Sequence, residues 1–265
     1  MIDYYRGAAT ALLPHIRGRP LTLGRFPSGV AGRGFAQTEC RGRPDWMPTH
    51  AVRTAGGERR RHCVVDDLAS LIWVANQNAI ELHAFLARAG DRERPGAVVF
   101  DLDPGPGTDL VNCARAALLL RELLAGLGLA AMAKSSGGTG LHVFAPLDGR
   151  STYATSKVFA RDIAHRLGGA HPRWITAAPR GQRAGKVLVD WVQNSRGRTT
   201  VCPYSLRAAD RPVVSAPVRW EEVERALNER RPELLVFGPR QLVTRLEALG
   251  DPFQPVLELR QPLPR

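Results

Sequence analysis

The order of apolar and polar positions predicts helices and strands in the first third of the chain. Residues 2 to 17 carry apolar side chains at helical spacing, which predicts an amphipathic helix, and residues 21 to 23 predict a strand. A loop-rich, basic region follows. Apolar side chains then recur at helical spacing between residues 67 and 87, so we predict one long helix that carries Glu81 and His83.

The middle of the chain contains short apolar runs that end in polar or glycine-rich sequence. Residues 97 to 100 form such a run and lead into Asp101 and Asp103, where a Pro-Gly-Pro-Gly sequence stops the predicted strand. Further predicted elements are a helix at 110 to 127, strands at 129 to 134 and 141 to 146, a helix at 152 to 167 and a strand at 186 to 192. Because these elements do not follow a steady β-α-β alternation, we predict an α+β fold with a largely antiparallel central sheet flanked by helices. We find no internal repeat or linker, which predicts a single domain over residues 1 to 265.

Charge changes this picture by suggesting a polyanionic partner. The chain has a formal net charge of +12 and a pI near 10.6. Such an imbalance indicates nucleic acid or a membrane surface, and the absence of a basic amphipathic helix from the sequence pattern favours nucleic acid. A basic surface that is merely solvated is the alternative. No apolar run reaches the roughly 18 residues of a membrane span, and the N-terminus does not resemble a signal peptide, so we expect a soluble, intracellular protein without a membrane partner.

The four cysteines are widely separated in the sequence. Cys40, Cys63, Cys113 and Cys202 form no Cys-x-x-Cys pair, so their spacing indicates neither a disulfide framework nor a structural zinc site. We therefore expect four reduced thiols.

Three aspartates end apolar strands and are the leading candidates for catalysis. Asp101 and Asp103 lie two residues apart, so a strand directs both carboxylates to one face, and Asp190 follows a second apolar run. Carboxylate oxygens suit Mg²⁺ or Mn²⁺, and three of them fit a two-metal displacement at phosphorus. The alternative is that these residues are ordinary turn aspartates at strand ends.

A glycine-rich loop between two predicted strands is the second candidate feature. Its successive backbone N–H groups could form an anion-binding nest for a triphosphate, although the sequence is not a Walker loop. A plain hairpin turn is the alternative. The candidate nucleotide-binding residues are Ser136, Gly137, Gly138, Thr139, Gly140 and the nearby His142.

Two arginines on either side of Asp190 in the sequence complete the candidate set. Arg183 precedes its strand and Arg207 follows it, and arginines beside a carboxylate cleft can clamp phosphate oxygens. In so basic a chain most single arginines are only solvated, so charge alone does not select these two.

Taken together, these motifs resemble the polymerase domain of bacterial DNA ligase D, a member of the archaeo-eukaryotic primase-polymerase superfamily. The main likenesses are Phe100-Asp101-Leu102-Asp103-Pro104-Gly105-Pro106-Gly107, the loop Ser136-Gly137-Gly138-x-Gly140-Leu141-His142, and Asp190 before Asn194. Shorter likenesses include Tyr4-Tyr5, Glu81-Leu82-His83 and Pro203-Tyr204-Ser205-x-Arg207. The resemblance covers nearly the whole chain in the expected order.

The resemblance implies a primase-polymerase fold with a two-metal site and a role for each candidate residue. It implies Asp101, Asp103 and Asp190 as metal ligands, with Mn²⁺ or Mg²⁺ as the cofactor. It implies contacts to the incoming nucleotide from His83, Ser136, His142, Arg183 and Arg207. The implied activity is gap filling and extension of DNA ends with NTP or dNTP in non-homologous end joining. The implied partners are the bacterial Ku protein and an ATP-dependent DNA ligase, and the implied location is the cytoplasm in association with the nucleoid.

Three departures from the family pattern leave alternatives open. Thr139 and Thr38 stand where the family usually has lysine, and the chain begins at the first family helix, so we expect the N-terminal segment that helps to bind a 5′-phosphate to be missing. A DNA-end-binding accessory of a separate ligase, with weakened catalysis, is therefore an alternative to the polymerase. A haloacid-dehalogenase-type phosphatase is a third reading of Asp101-x-Asp103, but that motif usually has Thr or Val where this chain has Gly105.

Overall fold

The computed structural model describes residues 1–53, 56–178 and 183–264. The chain divides into two compact units. Unit 1 consists of Met1–Arg92, Gly197–Ser215 and Phe237–Asp251. Unit 2 consists of Glu93–Arg196, Ala216–Val236 and Pro252–Arg265.

Helices and strands alternate irregularly along the chain. The helices are α1 (Ile2–Ile16), α2 (Leu68–Asn76), α3 (Leu110–Ala125), α4 (Tyr153–Ala170), α5 (Trp220–Glu229), α6 (Pro239–Leu249) and α7 (Pro255–Glu258). The strands are β1 (Pro20–Arg25), β2 (Phe35–Gln37), β3 (Thr49–Arg53), β4 (Arg59–Val64), β5 (Ala79–Phe85), β6 (Ala97–Pro104), β7 (Met132–Ser135), β8 (Leu141–Pro146), β9 (Ile175–Thr176), β10 (Val187–Asp190), β11 (Thr199–Val201), β12 (Leu206–Arg207), β13 (Val213–Val214) and β14 (Pro217–Val218).

Unit 1 is built on a six-stranded antiparallel sheet. Its strand order is β11-β5-β1-β4-β3, and β2 also pairs with β1. The basic region that we expected to be loop-rich thus contributes three strands. Their pattern is hard to recognise because β3 and β4 expose all four of their arginines, and the few buried positions include Val52 and Cys63.

The prediction of one long helix between residues 67 and 87 is wrong. Helix α2 is capped by Asp67 and ends at Asn76, and Asn78 then takes the left-handed conformation with φ of 58°. Asparagine tolerates this conformation better than most residues, and it reverses the chain so that β5 can begin at Ala79. Pairing of β5 with β1 and β11 overrides the local helical pattern.

Unit 2 contains the second six-stranded sheet, in the order β14-β7-β8-β6-β10-β9. All its neighbours are antiparallel except β9 and β10. Helices α3 and α4 pack against β6, whose residues Val98, Val99 and Phe100 are fully buried. A continuous apolar run is expected for such an enclosed strand. The predicted α+β class with mainly antiparallel pairing is confirmed, with two six-stranded sheets in place of one and a small antiparallel pair formed by β12 and β13.

Several predicted elements have the expected positions, and others shift at their ends. The observed α1, α3, α4 and β8 match their predictions closely, whereas β7 begins only at Met132 and β10 ends at Asp190. The backbone N–H of Val192 donates a hydrogen bond of 2.7 Å to Oδ1 of Asp190 and starts a 3₁₀ turn. This turn explains why the predicted strand does not continue.

The expectation of four reduced cysteines is wrong for one pair. Cys40 and Cys63 form a disulfide with their Cα atoms 5.0 Å apart, while Cys113 and Cys202 are buried thiols. The backbone N–H of Cys40 donates a hydrogen bond of 2.6 Å to the carbonyl of Arg61, which places Cys40 beside β4. A separation of 23 residues gives no sign of this contact, because tertiary pairing creates it.

Within the three described ranges, no helix combines the length and apolar character that crossing a membrane requires.

Candidate active site

The three candidate aspartates lie on adjacent strands of the unit 2 sheet. In the antiparallel pair of β10 and β6, Asp190 lies directly opposite Asp101. Directly opposed residues share a face of a sheet, and Asp103 faces the same way as Asp101 because it is two positions along the strand. The sheet register therefore places all three carboxylates on one face.

The same row of residues continues across two more strands. His142 on β8 lies opposite Asp101, and Lys134 on β7 lies opposite His142. The Nε2 atom of His142 is 3.1 Å from Oδ1 of Asp101, and both side chains are largely buried. His142, predicted to reach phosphates, thus contacts a candidate metal ligand.

Lys134 is a residue of this row that the sequence analysis missed. Its side chain is fully buried, with Nζ 5.9 Å from the centre of the Phe144 ring. A lysine inside an apolar strand just before a glycine loop was the available signal, because lysine is rarely buried without a specific role.

The glycine loop forms the hairpin between β7 and β8 and is organised by Ser136. The backbone N–H of Ser136 donates a hydrogen bond of 3.0 Å to the carbonyl of Gly140. The Ser136 hydroxyl accepts hydrogen bonds from the N–H groups of Gly138 and Gly140, each at 3.2 Å. Gly137 has φ of 71°, a conformation that favours glycine. Two of the backbone donors that we expected to face an anion are therefore bonded to Ser136, whose own hydroxyl proton is directed elsewhere.

Two glycines allow neighbouring backbone segments to pack closely against the end of β6, where the carboxylates lie. A Cβ atom at Gly140 would lie 2.5 Å from the carbonyl oxygen of Leu102 and 3.4 Å from Oδ1 of Asp103. A Cβ atom at Gly105 would lie 1.9 Å from the carbonyl oxygen of Arg183. The hairpin and the segment before β10 therefore both pack against the end of β6.

Burial and neighbouring negative charges act together on the aspartate group. Burial, followed by the negative charge of Asp101 and, more weakly, Asp190, raises the pKa of Asp103 to about 6, although the positive charge of Arg183 opposes the shift. The Nη2 atom of Arg183 also donates a hydrogen bond of 3.3 Å to the backbone carbonyl of Asp103. Arg183 therefore partly compensates the negative charge of Asp103.

A second cluster, in unit 1, contains the other two predicted nucleotide contacts. Glu81 on β5 places Oε2 2.9 Å from Nε2 of His83 and Oε1 3.4 Å from Nε of Arg207. Oε1 also accepts the backbone N–H of Ala208 at 3.0 Å. His83 and Arg207 thus share one carboxylate, which the sequence analysis noted only as part of the Glu81-Leu82-His83 likeness.

The segment that carries Arg207 is fixed along β5 by buried hydrogen bonds. The hydroxyl of Ser205 accepts the backbone N–H of Leu82 at 2.8 Å and donates to the carbonyl of Leu206 at 2.9 Å. Tyr204, just before it, has φ of 66°, and its carbonyl accepts a hydrogen bond of 2.8 Å from the Tyr4 hydroxyl. These contacts hold a conformation that a tyrosine rarely adopts.

The predicted site residues therefore fall into two groups, one in each unit. Unit 2 contains Asp101, Asp103, Asp190, Ser136, Gly137, Gly138, Thr139, Gly140, His142 and Arg183. Unit 1 contains His83 and Arg207. The segment between α4 and β10, which carries Arg183, lies partly outside the described residues, which omit 179 to 182.

The chemistry of the aspartate group fits a divalent cation. Among the described residues, no group of three or more histidine, cysteine, aspartate or glutamate side chains already converges at metal-ligand spacing. The three aspartates nevertheless offer only oxygen ligands on one sheet face, and their mutual repulsion would be relieved by a cation. They are the residues that would hold it.

The fold defines a primase-polymerase, a class of DNA-directed nucleotidyltransferase. It superposes on the polymerase domain of Mycobacterium tuberculosis ligase D, solved in complex with DNA, with a TM-score of 0.90 and 34% sequence identity. The match covers 98% of this chain and 92% of that one. The chain belongs to the LigD primase-polymerase family, because the family model described as "LigD, primase-polymerase domain" matches residues 1–253.

Curated relatives carry the same family name. The chain is 37% identical over 261 residues to the multifunctional non-homologous end joining DNA repair protein LigD of M. tuberculosis, covering 95% of this chain and 34% of that protein. It is 31% identical over 254 residues to the bifunctional non-homologous end joining protein LigD of Bacillus subtilis, covering 95% of this chain and 40% of the relative. The chain thus spans about a third of the length of the first of these relatives and two fifths of the second.

Proposed function

We propose that this domain fills gaps and extends DNA ends by metal-dependent nucleotidyl transfer during non-homologous end joining. The observation that carries the proposal is the alignment of Asp190, Asp101 and Asp103 on one face of the sheet in a member of the LigD primase-polymerase family. The names of the relatives and the DNA complex of the M. tuberculosis domain support DNA ends as the substrate and end joining as the pathway.

The three aspartates would hold Mg²⁺ or Mn²⁺. When bound, such cations would make the primer 3′-hydroxyl a better nucleophile and offset the charge that develops on the departing pyrophosphate. His142 would fix the orientation of Asp101, since its Nε2 atom contacts Oδ1 of that carboxylate. The oxygen-only donor set does not discriminate between the two metals.

The remaining predicted residues would bind and orient the nucleotide. The Ser136 hydroxyl can donate its proton to a nucleotide oxygen while it holds the loop amides, and Arg183 supplies positive charge beside Asp103. His83 and Arg207 would contact the incoming NTP or dNTP. The expected partners are bacterial Ku and an ATP-dependent ligase, acting at chromosomal breaks in the bacterial cytoplasm.

The test is primer extension on one-nucleotide gaps and on blunt ends, with each metal and each nucleotide type. Asp101→Asn and Asp190→Asn should each lower the rate of addition by at least about a hundredfold while DNA affinity changes little, because each removes a charged metal ligand. Asp162→Asn is the matched control, since the Asp162 side chain is 61% exposed and pairs with Arg161.

The outcomes separate the proposed polymerase from an accessory. Wild-type protein that binds DNA ends but adds no nucleotide would contradict the polymerase and favour a catalytically weakened accessory. Wild-type rates in Asp101→Asn or Asp190→Asn would contradict the assignment of the metal ligands.

A further inference from the structure

Glu81 occupies a position in unit 1 from which its carboxylate contacts several groups at once. Its side chain is only 14% exposed, and it lies two residues before His83 on the same face of β5. Oxygen Oε2 contacts His83, and oxygen Oε1 contacts Arg207 and the backbone N–H of Ala208. Both carboxylate oxygens are therefore occupied within one cluster.

We propose that Glu81 is a positioning residue that presents His83 and Arg207 to the incoming nucleotide. This proposal rests on the proposed function, in which those two side chains contact the nucleotide.

The geometry determines which atoms of the two side chains are presented. Because Nε2 of His83 is the nitrogen that faces Glu81, it is the donor in that contact, and Nδ1 is the nitrogen left for another partner. Because Nε is the nitrogen of Arg207 that lies nearest to Glu81, the carboxylate engages the side edge of the guanidinium and not the end edge formed by its two terminal nitrogens. A guanidinium held in this way can offer its terminal nitrogens to phosphate oxygens as a pair.

The backbone around Glu81 is shaped to hold its carboxylate in place. Gly24 on β1 lies opposite Glu81, and a Cβ atom at Gly24 would lie 2.8 Å from Cβ of Glu81. On the other side of β5, the backbone N–H of Cys202 donates to the carbonyl of Leu82 at 2.9 Å. Glu81 is thus held between a strand that makes room for it and a segment that carries Arg207.

The charge of Glu81 is retained in the folded protein. Burial opposes its ionisation, but the hydrogen bond from His83, the charge of Arg207 and the N–H of Ala208 together lower the pKa of Glu81 below its ordinary value. An ionised carboxylate accepts hydrogen bonds only, so it imposes one orientation on each of its donors.

The experiment compares Glu81→Gln with wild type in steady-state filling of a one-nucleotide gap. Glutamine keeps the shape of glutamate but replaces one acceptor oxygen with a donor, so it cannot accept from both side chains. We expect the nucleotide KM to rise roughly tenfold, kcat to change less than about threefold, and the Kd for DNA to stay unchanged. Glu93→Gln is the matched control, because Glu93 forms an exposed ion pair with Arg196.

A second set of variants separates positioning from a purely structural role. If Glu81 acts through its partners, adding Glu81→Gln to a His83→Ala, Arg207→Ala double variant should raise KM little further. A lowered Tm with an unchanged KM in Glu81→Gln would overturn the proposal. Should Glu81→Gln fail to fold, Glu81→Asp replaces it, since the shortened side chain keeps the charge but withdraws the carboxylate, and the same rise in KM is expected.

Equilibrium binding of ATP with Mn²⁺ gives a readout that does not depend on nucleotide addition. Wild-type protein that binds ATP but adds no nucleotide contradicts the proposed function, and the Kd of Glu81→Gln for ATP then decides the role of Glu81. An unchanged Kd overturns it, and a Kd raised roughly tenfold supports it. Wild-type protein that neither binds ATP nor adds nucleotide overturns both.

Discussion

The side chain at a single position affects how tightly the hairpin loop between β7 and β8 could bind a triphosphate. Thr139 is exposed at the tip of this loop, next to Gly140, whose N–H is bonded to Ser136. The family resemblance implies a lysine at this position. With threonine in place of that lysine, the groups that this loop offers to a phosphate are backbone N–H groups and hydroxyls.

Thr139→Lys should therefore improve nucleotide binding. A charge-assisted hydrogen bond to phosphate contributes on the order of 1.5–3 kcal/mol when well formed, so we expect KM to fall roughly tenfold or more. The measurement is steady-state filling of a one-nucleotide gap, with Thr139→Gln as the uncharged control. Equal KM values in Thr139→Lys and Thr139→Gln would mean that the loop tip does not face the triphosphate.

At Gly140 the prediction rests on the absence of a side chain, because neighbouring atoms leave no space for a Cβ atom. Gly140→Ala places a Cβ atom 2.5 Å from the carbonyl oxygen of Leu102, so the loop must move away from the end of β6 and from Asp103. We expect kcat to fall about tenfold or more, since small displacements of groups near reacting atoms are costly. Gly138→Ala is the control, because its Cβ would meet only the Ser136 hydroxyl, at 3.5 Å. Similar kcat values in the two variants would exclude this packing role.

At the scale of elements, β4 carries a buried histidine that links folding to pH. His62 is 4% exposed, and its Nδ1 atom lies 3.0 Å from the carbonyl oxygen of Leu21. Burial, together with the charges of Arg92, Arg60 and the facing His50, lowers the pKa of His62, although the hydrogen bond to Leu21 opposes the shift. The neutral ring is therefore the form that the folded strand accommodates.

The lowered pKa of His62 makes the folded protein less stable in acid. The unfolded chain binds a proton at His62 more readily than the folded chain, so stability falls as pH decreases below the ordinary histidine pKa of about 6.5. His62→Gln keeps an N–H donor for Leu21 but does not titrate. Between pH 7.5 and pH 5.5 we expect its Tm to fall less than the wild-type Tm by roughly 2–4 °C. His165→Gln, at an exposed position, is the control, and equal pH slopes in His62→Gln and wild type would contradict the prediction.

The elements also show how far sequence patterns could predict this fold. The helices α3 and α4 were predictable because their apolar spacing and their caps at Asp109 and Thr152 agree. The strand β5 was not, because Ala79 and Leu82 continue the helical spacing of α2 while Leu82 and Ala84 alternate as in a strand, and only pairing with β1 decides between the two patterns.

The candidate site was predictable where it is local in sequence. Asp101, Asp103 and the glycine loop can be recognised from their spacing in the sequence. The contact of Glu81 with Arg207, in contrast, joins residues more than a hundred positions apart. Lys134 joins the aspartate row only through the register of β7 and β8. Long-range pairing of this kind depends on the whole fold, which a single sequence does not display.

At the scale of the whole molecule, the net charge of +12 makes a prediction about DNA binding. Contacts to phosphate release counterions, so affinity should fall steeply with salt and depend little on base sequence. We expect Kd to rise about a hundredfold or more between 50 and 200 mM salt. Fluorescence anisotropy with two duplex ends of unrelated sequence provides the measurement. A Kd that hardly changes with salt, or that differs strongly between the two duplexes, would contradict a phosphate-dominated interface.

The register of β10 against β6 has a consequence for experiments on refolding. Since side chains alternate across a strand, a slip of one residue would turn Asp190 to the opposite face while the number of paired strand residues hardly changed. Such a misaligned molecule would give the circular dichroism signal of a folded protein, but it would not add nucleotides. Catalytic activity recovered after denaturation would therefore report whether the strands are correctly aligned. The difference between the recovered circular dichroism signal and the recovered activity would measure the misaligned fraction.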